Sequence, residues 1–256
     1  MAYSRRIAAN ELPRGNVLTQ AMAGIGMAFA SRPKTTANIE STLLAASIEG
    51  MEHDDLRVLA VLTTWLEIHH PRINVDRLTR AVSAYPEPRV RCFWSAIATW
   101  LQKDRRFKRL ARLYDREPPA PSNARALHHG PATGKRMKLL RVGNSFQIER
   151  RGEDERFDGS YLCVPAGVLR DRASDVLSPS KLAQQHPTYQ NRVLMGPTYR
   201  SDMVAALNHE PLLTPTELAR KTFGSFATAW QVKRDIDILA SANTPKKRPT
   251  PIEAGR

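Results

Sequence analysis

Seven polar residues in the last quarter of the chain are of types that contact nucleic acids. Glutamine can make a bidentate contact with adenine and arginine with guanine, each worth about 1–3 kcal/mol of discrimination between bases. Basic side chains beside them can neutralise phosphates. The candidate base or phosphate readers are Ser225, Thr228, Gln231 and Arg234, and the candidate phosphate contacts are Arg220, Lys221 and Lys233.

Three helices are predicted to position these residues. The segment 214–217 reads Thr-Pro-Thr-Glu, a capping box with proline at the first helical position, so a short helix is expected over 215–222. The pair 223–224, Phe-Gly, is expected to form a turn, and Ser225 to cap a longer helix after it. A preceding helix is expected over about 200–208. The longer helix carries an apolar stripe at helical spacing: Phe226, Ala229, Val232, Ile236 and Leu239.

This short helix, turn and longer helix resemble a helix-turn-helix DNA-binding unit. The phrase LTPTELARKTFGSFATAWQVKRDI is similar to segments of bacterial transcriptional regulators, and the resemblance covers residues 199–240. It implies that the last helix enters the major groove of double-stranded DNA, and that a homodimer binds two half-sites about 34 Å apart. The layout also resembles the DNA-binding antitoxins of toxin–antitoxin operons, which repress their own promoter and hold a toxin.

A second basic cluster lies in a predicted helix over 103–112. Basic clusters are a recognised but non-specific feature of nucleic-acid-binding proteins, so this one fits either a polyanion or acidic-partner surface or a solvated helix face. Two other functions therefore stay open, a protein–protein interaction module that docks through this helix and a sequence-tolerant RNA-binding protein. The cluster consists of Lys103, Arg105, Arg106, Lys108, Arg109 and Arg112.

The overall charge favours a polyanionic partner. The chain of 256 residues holds 39 Lys and Arg against 25 Asp and Glu, a formal net charge of +14. No apolar run is long enough for a transmembrane helix, and Cys92 and Cys163 match no zinc or redox spacing. The pairs His69-His70 and His128-His129 lack carboxylate or cysteine ligands at metal-site spacing. With no catalytic or nucleotide-binding motif either, we expect a cytoplasmic, non-enzymatic protein without metal or cofactor.

The predicted fold is mainly α, with an all-α N-terminal domain and a small α+β domain that ends in the helix-turn-helix. A tight turn at Gly143-Asn144 is expected to join two strands into a hairpin, with a third strand near 161–164. The predicted layout is an arm over 1–35, helices over 36–115, a linker over 116–136, the α+β domain over 137–242 and a disordered basic tail over 243–256.

Overall fold

The computed structural model describes residues 7–114 and 136–242. These residues are mainly helical, as predicted, with one small sheet. Most of the predicted linker, the predicted tail over 243–256 and His128-His129 lie outside the described residues. The helices are α1 (Gly15–Gly24), α2 (Ile39–Glu52), α3 (Leu56–His69), α4 (Val75–Ala84), α5 (Pro88–Trp100), α6 (Lys108–Ala111), α7 (Asn144–Arg151), α8 (Pro179–Gln185), α9 (Pro187–Met195), α10 (Tyr199–His209), α11 (Pro215–Thr222) and α12 (Phe226–Ala242).

Side-chain caps explain where several of these helices begin. Asn38 accepts a hydrogen bond from the Ser41 amide at the start of α2, and Asp55 accepts from two amides in the first turn of α3. Asn74 caps α4 in the same way. Each cap satisfies backbone donors that have no partner within their own helix, so short polar residues fix the starts of these helices locally.

One large apolar core runs from Ile7 to Tyr189. The Trp65 indole, fully buried, donates a hydrogen bond of 2.7 Å to the Ile25 carbonyl, which ties α3 to the end of α1. An arm was predicted over 1–35, but in the described part of that range Leu18 and other apolar residues of α1 are buried in this core. Residues on both sides of the predicted linker therefore contribute to the same core.

The predicted hairpin around Gly143-Asn144 is wrong. Gly143 adopts a left-handed φ of +74° and precedes α7, which occupies the place of the expected second strand. The Asn144 side chain accepts a hydrogen bond from the Leu140 amide at 3.1 Å, which turns the chain into the helix. Strand β1 (Met137–Lys138) instead pairs in parallel with β2 (Leu162–Cys163), the latter within the predicted third strand. A parallel partner this far along the chain leaves no local turn signal.

The predicted helix over 103–112 is also shorter than expected. A 3-10 turn (Arg105–Phe107) leads into the four-residue α6. Phe107 and Leu110 are both fully buried and hold this segment on the core, while most of its basic side chains remain exposed.

Candidate nucleic-acid interface

Helices α10, α11 and α12 enclose a small apolar core of their own. The predicted bounds of α11 are confirmed, and α10 and α12 begin within one residue of their expected starts. The capping box at Thr214 and Glu217 is present, with each side chain accepting a hydrogen bond from the other's amide. The Thr214 amide and then the Thr214 hydroxyl donate to the Glu217 carboxylate, and these two hydrogen bonds lower the pKa of that carboxyl. The core residues of this three-helix unit are Met203, Leu207, Leu218, Ala219, Ala229 and Val232.

The expected turn between α11 and α12 is present, and its two residues have different roles. Phe223, not Gly224, takes the left-handed conformation, with φ at +54°. That backbone costs a non-glycine residue about 1–2 kcal/mol, and the cost is offset because the Phe223 side chain packs against the main core. Gly224 lies against the small core, since a Cβ there would lie 2.2 Å from Cε of the buried Met203 and would force the end of that side chain to move.

Two of the four predicted readers, Ser225 and Thr228, bond to each other at the start of α12, where Ser225 caps the helix. Ser225 Oγ accepts a hydrogen bond of 3.0 Å from the Thr228 amide and lies 2.6 Å from Thr228 Oγ1. Gln231 and Arg234 are exposed on α12. The Arg234 guanidinium lies 5.3 Å from the centroid of the Trp230 ring, a cation–π contact that holds it over the helix surface. Gln231 and Arg234 are thus the predicted readers best presented to a partner.

The three residues predicted to contact phosphates differ in whether their charged groups already have partners within the protein. Lys221 forms an ion pair with Glu210. Lys233 Nζ donates a hydrogen bond of 2.7 Å to the Leu213 carbonyl and so ties α12 to the loop before α11. Arg220 is exposed near the end of α11. Of this set, Arg220 presents its charge most openly.

The apolar stripe predicted for α12 is buried only in its middle. Ala229 and Val232 lie in the small core, but Phe226 is 55% exposed and Leu239 63% exposed, because the three-helix unit is too short to cover both ends. Trp230 and Ile238 are exposed as well. The outward surface of α12 therefore mixes aromatic and aliphatic side chains with Gln231 and Arg234.

Residues 199–242 contain five Lys or Arg and five Asp or Glu, so the unit as a whole is formally neutral.

A buried cluster of four charges fixes this unit to the rest of the protein. Glu40 on α2, Arg77 on α4, Arg192 on α9 and Asp202 on α10 are each 5% exposed or less. Arg192 contacts both carboxylates, with bonds of 2.7 and 2.9 Å to Glu40 and of 2.8 and 2.7 Å to Asp202. Arg77 also reaches both, at 3.0 Å to Glu40 and 2.5 Å to Asp202. We call these four residues the buried charge cluster.

The electrostatics of the cluster keep all four groups ionised. Burial alone would raise the pKa of Glu40 and of Asp202, but the two arginines outweigh it and hold both pKa values below the usual range. Burial likewise opposes the charged form of Arg192, and the two carboxylates nevertheless raise its pKa. Buried charges are tolerated only when they are paired and hydrogen-bonded in this way.

The buried charge cluster also contacts the turn between α11 and α12 through one hydrogen bond. Arg77 Nη2 donates a hydrogen bond of 2.7 Å to the Thr222 carbonyl, the last residue of α11. The position of the turn is therefore set by α4 as well as by the three-helix unit. Sequence reasoning missed this cluster, because Glu40 and Arg192 are 152 residues apart and no local pattern links them.

The second basic cluster adjoins the three-helix unit through Asp76. This carboxylate accepts a hydrogen bond of 3.1 Å from the Tyr199 hydroxyl at the start of α10 and lies 3.6 Å from the Arg109 guanidinium. Arg106 is held by Asp104 and by backbone carbonyls, including that of Ile73 at 3.2 Å. The remaining members of the cluster, Lys103, Arg105, Lys108 and Arg112, are exposed.

Other kinds of site find no support in the part of the chain that the structure describes. Within 7–114 and 136–242, no group of three or more His, Cys, Asp or Glu side chains is placed to hold a metal ion. None of the described helices is long and apolar enough to cross a bilayer. Comparisons of the chain with known protein families, characterised proteins and solved structures find no match.

Proposed function

We propose that this protein is a sequence-specific DNA-binding transcriptional regulator that inserts α12 into the major groove. The observation that carries the proposal is a capped α11–turn–α12 unit whose longer helix presents Gln231 and Arg234 to solvent. An α-helix fits the major groove, and these two residue types can read adenine and guanine edges. The buried charge cluster supports the proposal, because a helix that contacts base edges (here called the reading helix) must be held rigidly against the rest of the protein.

The other candidate residues take supporting parts in this proposal. Ser225 and Thr228 order the first turn of α12, whose amides and dipole favour a nearby phosphate. Arg220 contacts the phosphate backbone directly. Lys221 and Lys233 join it by exchanging Glu210 and the Leu213 carbonyl for phosphate oxygens. The exposed basic residues near 103–112 extend the phosphate-contacting surface, since Asp76 joins them to α10.

The proposal includes a homodimer and a cytoplasmic setting. Exposed apolar residues at both ends of α12, Phe226 and Leu239 among them, give a second copy a surface to cover. A twofold dimer would place two reading helices on half-sites about 34 Å apart. Cys92 and Cys163 are not joined in a disulfide, in keeping with a reducing compartment. An autorepressing antitoxin that also holds a protein toxin is one form such a regulator takes.

The test is selection of random duplex DNA by the purified full chain, followed by sequencing. We expect enrichment of a defined, palindromic site that Arg234→Ala and Gln231→Ala lose while their thermal stability stays unchanged. Lys181→Ala, at an exposed lysine on α8, is the matched control and should enrich the same site as the natural chain. Binding without enrichment, or a preference for single strands, would contradict the proposal, and the latter would favour the RNA-binding alternative.

A protein–protein interaction module is the second candidate function. The specific observation in its favour is the outward surface of α12, where Phe226, Trp230 and Ile238 are about half exposed on a formally neutral unit. Aromatic side chains are enriched at protein interfaces. In that case Trp230→Ala would abolish capture of a protein partner, and duplex DNA would show no enrichment in the selection.

A further inference from the structure

A groove lined by four arginines lies on a different part of the protein. It has a volume of about 280 Å³ and is bounded by the first turn of α3, by α7 and by the segment 167–172. Arg57, Arg151, Arg170 and Arg172 line it, and none of the described residues lining it is an aspartate or glutamate. Three separate parts of the chain thus bring like charges together around one concavity, and a cleft lined by one sign of charge attracts ligands of the opposite sign.

The guanidinium groups of three of these arginines make only long contacts with the rest of the protein. Arg172 lies 3.7 Å from Asp175, and Arg170 Nε is 3.4 Å from the Gly167 carbonyl, both long contacts. The Arg57 guanidinium lies 5.6 Å from the centroid of the Phe29 ring, which leaves its hydrogen-bond donors available. A guanidinium fork with unused donors matches the geometry of phosphate oxygens.

Two buried polar atoms in the same groove have no hydrogen-bond partner among the described residues. One is Nε of Arg172, a donor, and the other is Oε1 of Gln147 on α7, an acceptor. Buried polar atoms are almost always paired. Arg172 and Gln147 are only partly buried as whole side chains, so a small shift of either one toward the groove would let a ligand supply the missing partner. The ligand must accept at Arg172 and donate at Gln147.

We propose that this groove binds a small ligand that carries two or more linked phosphate groups and a hydroxyl or amino donor. The four guanidinium groups neutralise the phosphates. Gln147 Oε1 accepts the hydrogen bond from the donor group. The volume is near the lower end of ordinary small-molecule sites, about 300–1,000 Å³, which suits a diphosphate with part of an attached group.

The experiment titrates the full chain with inorganic pyrophosphate and with adenosine diphosphate in a calorimeter. We expect one molecule bound per chain, and a loss of affinity of at least about tenfold in Arg151→Gln and in Arg172→Gln. Arg150→Gln is the matched control, because Arg150 is the exposed neighbour of Arg151 on α7 and does not line the groove. Its affinity should stay within about twofold of the natural chain.

A further variant separates the phosphate contacts from the role of Gln147. Adenosine diphosphate should bind more tightly than pyrophosphate, and Gln147→Met should remove that advantage while leaving pyrophosphate affinity unchanged. The same phosphate chemistry occurs in nucleic-acid backbones, so a single-stranded twelve-nucleotide probe forms a third arm. Absence of heat with both small ligands, binding of the oligonucleotide alone, or equal affinity in Arg151→Gln and the control would each overturn the proposal. All of these outcomes are independent of duplex selection by α12.

Discussion

Arg192 joins three helices of the protein through its side chain. It is fully buried and hydrogen-bonds to both Glu40 and Asp202, so α2, α9 and α10 meet at one guanidinium. Replacing one member of a buried ion network is costly because the opposite charges are left without compensation. We predict that Arg192→Met lowers the free energy of unfolding by about 3–5 kcal/mol, measured by urea denaturation.

The matched control is Arg200→Met on α10. Arg200 also pairs with a carboxylate, Asp235 at 2.8 Å, but its side chain is 48% exposed. Solvent-exposed ion pairs contribute about 0–1 kcal/mol, so this variant should remain close to the natural chain. Equal, small decreases in stability from the two variants would mean that the buried charge cluster does not hold the helices together.

Two buried histidines predict a loss of stability in mild acid. Burial lowers the pKa of His69 and of His186 to about 4. Nδ1 of His186 accepts a hydrogen bond from the Tyr189 amide, which protonation at Nδ1 would break. Nδ1 of His69 lies 2.7 Å from the Tyr189 hydroxyl, which can accept as well as donate, so burial is the main cost of charging that ring. The unfolded chain takes up protons near pH 6.5, before the folded chain does. Stability should therefore be full above pH 6.5 and fall as the pH drops toward 4.

Each histidine should account for about 2–3 kcal/mol of this decrease. The measurement is the urea unfolding free energy at several pH values between 7 and 4. His186→Gln retains a donor and an acceptor but cannot be protonated, so it should flatten the curve. A stability that is constant from pH 6.5 to 4.5 in the natural chain would rule out neutral, buried imidazoles.

Among the elements, the α11–α12 turn depends on close contact between helices. A Cβ at Gly224 would lie 2.2 Å from Met203 Cε. We predict that Gly224→Ala destabilises the protein by about 1–3 kcal/mol, since inserting atoms into a packed core forces its neighbours to shift. Met203→Leu removes the reaching methyl group, so the double variant should be destabilised by less than the sum of the two single variants. Additive effects in a denaturation cycle would contradict this packing.

Local signals explain which elements could be predicted. The capping box at 214–217 and the proline after it fix the start of α11 within a few residues, so α11 has the predicted bounds. The Gly143-Asn144 pair is a local signal as well, but a left-handed glycine can precede a helix as readily as it can form a hairpin. Whether Gly143 precedes a helix or forms a hairpin depends on β2, which pairs with β1 from 25 residues further along the chain.

For the whole molecule, mainly helical structure was predictable, but the way its parts meet was not. The main core combines residues from Ile7 to Tyr189, and the buried charge cluster joins Glu40 to Arg192. The cluster depends on which buried arginine contacts which carboxylate. The spacing of residue types within a single sequence does not predict such pairs. Of the predicted site, Gln231 and Arg234 lie exposed as a reading helix requires, whereas Lys221 and Lys233 have partners within the protein.

The distribution of charge predicts how DNA binding should divide between two surfaces. The three-helix unit is formally neutral, so the salt-dependent attraction must come from basic residues outside it, and we expect the exposed residues near 103–112 to contribute because Asp76 joins them to α10. Changing Lys103, Arg105 and Lys108 to glutamine should weaken binding to every duplex alike, and should reduce the salt slope by up to about 0.9 for each phosphate that is no longer neutralised. Arg234→Ala should instead lower affinity for the selected site alone. A sequence-dependent effect of the glutamine variants would contradict this division.

Site-specific photocrosslinking from α12 tests most directly whether this helix reads DNA. Ala227 is exposed on the outward surface of α12, beside Trp230 and Gln231, and can be replaced by a photoreactive amino acid. With selected duplex present, we expect position 227 to crosslink to bases of the site, while the same replacement at exposed Glu149 on α7 does not. Crosslinks from position 227 to protein alone, with the duplex bound, would contradict the proposed reading helix.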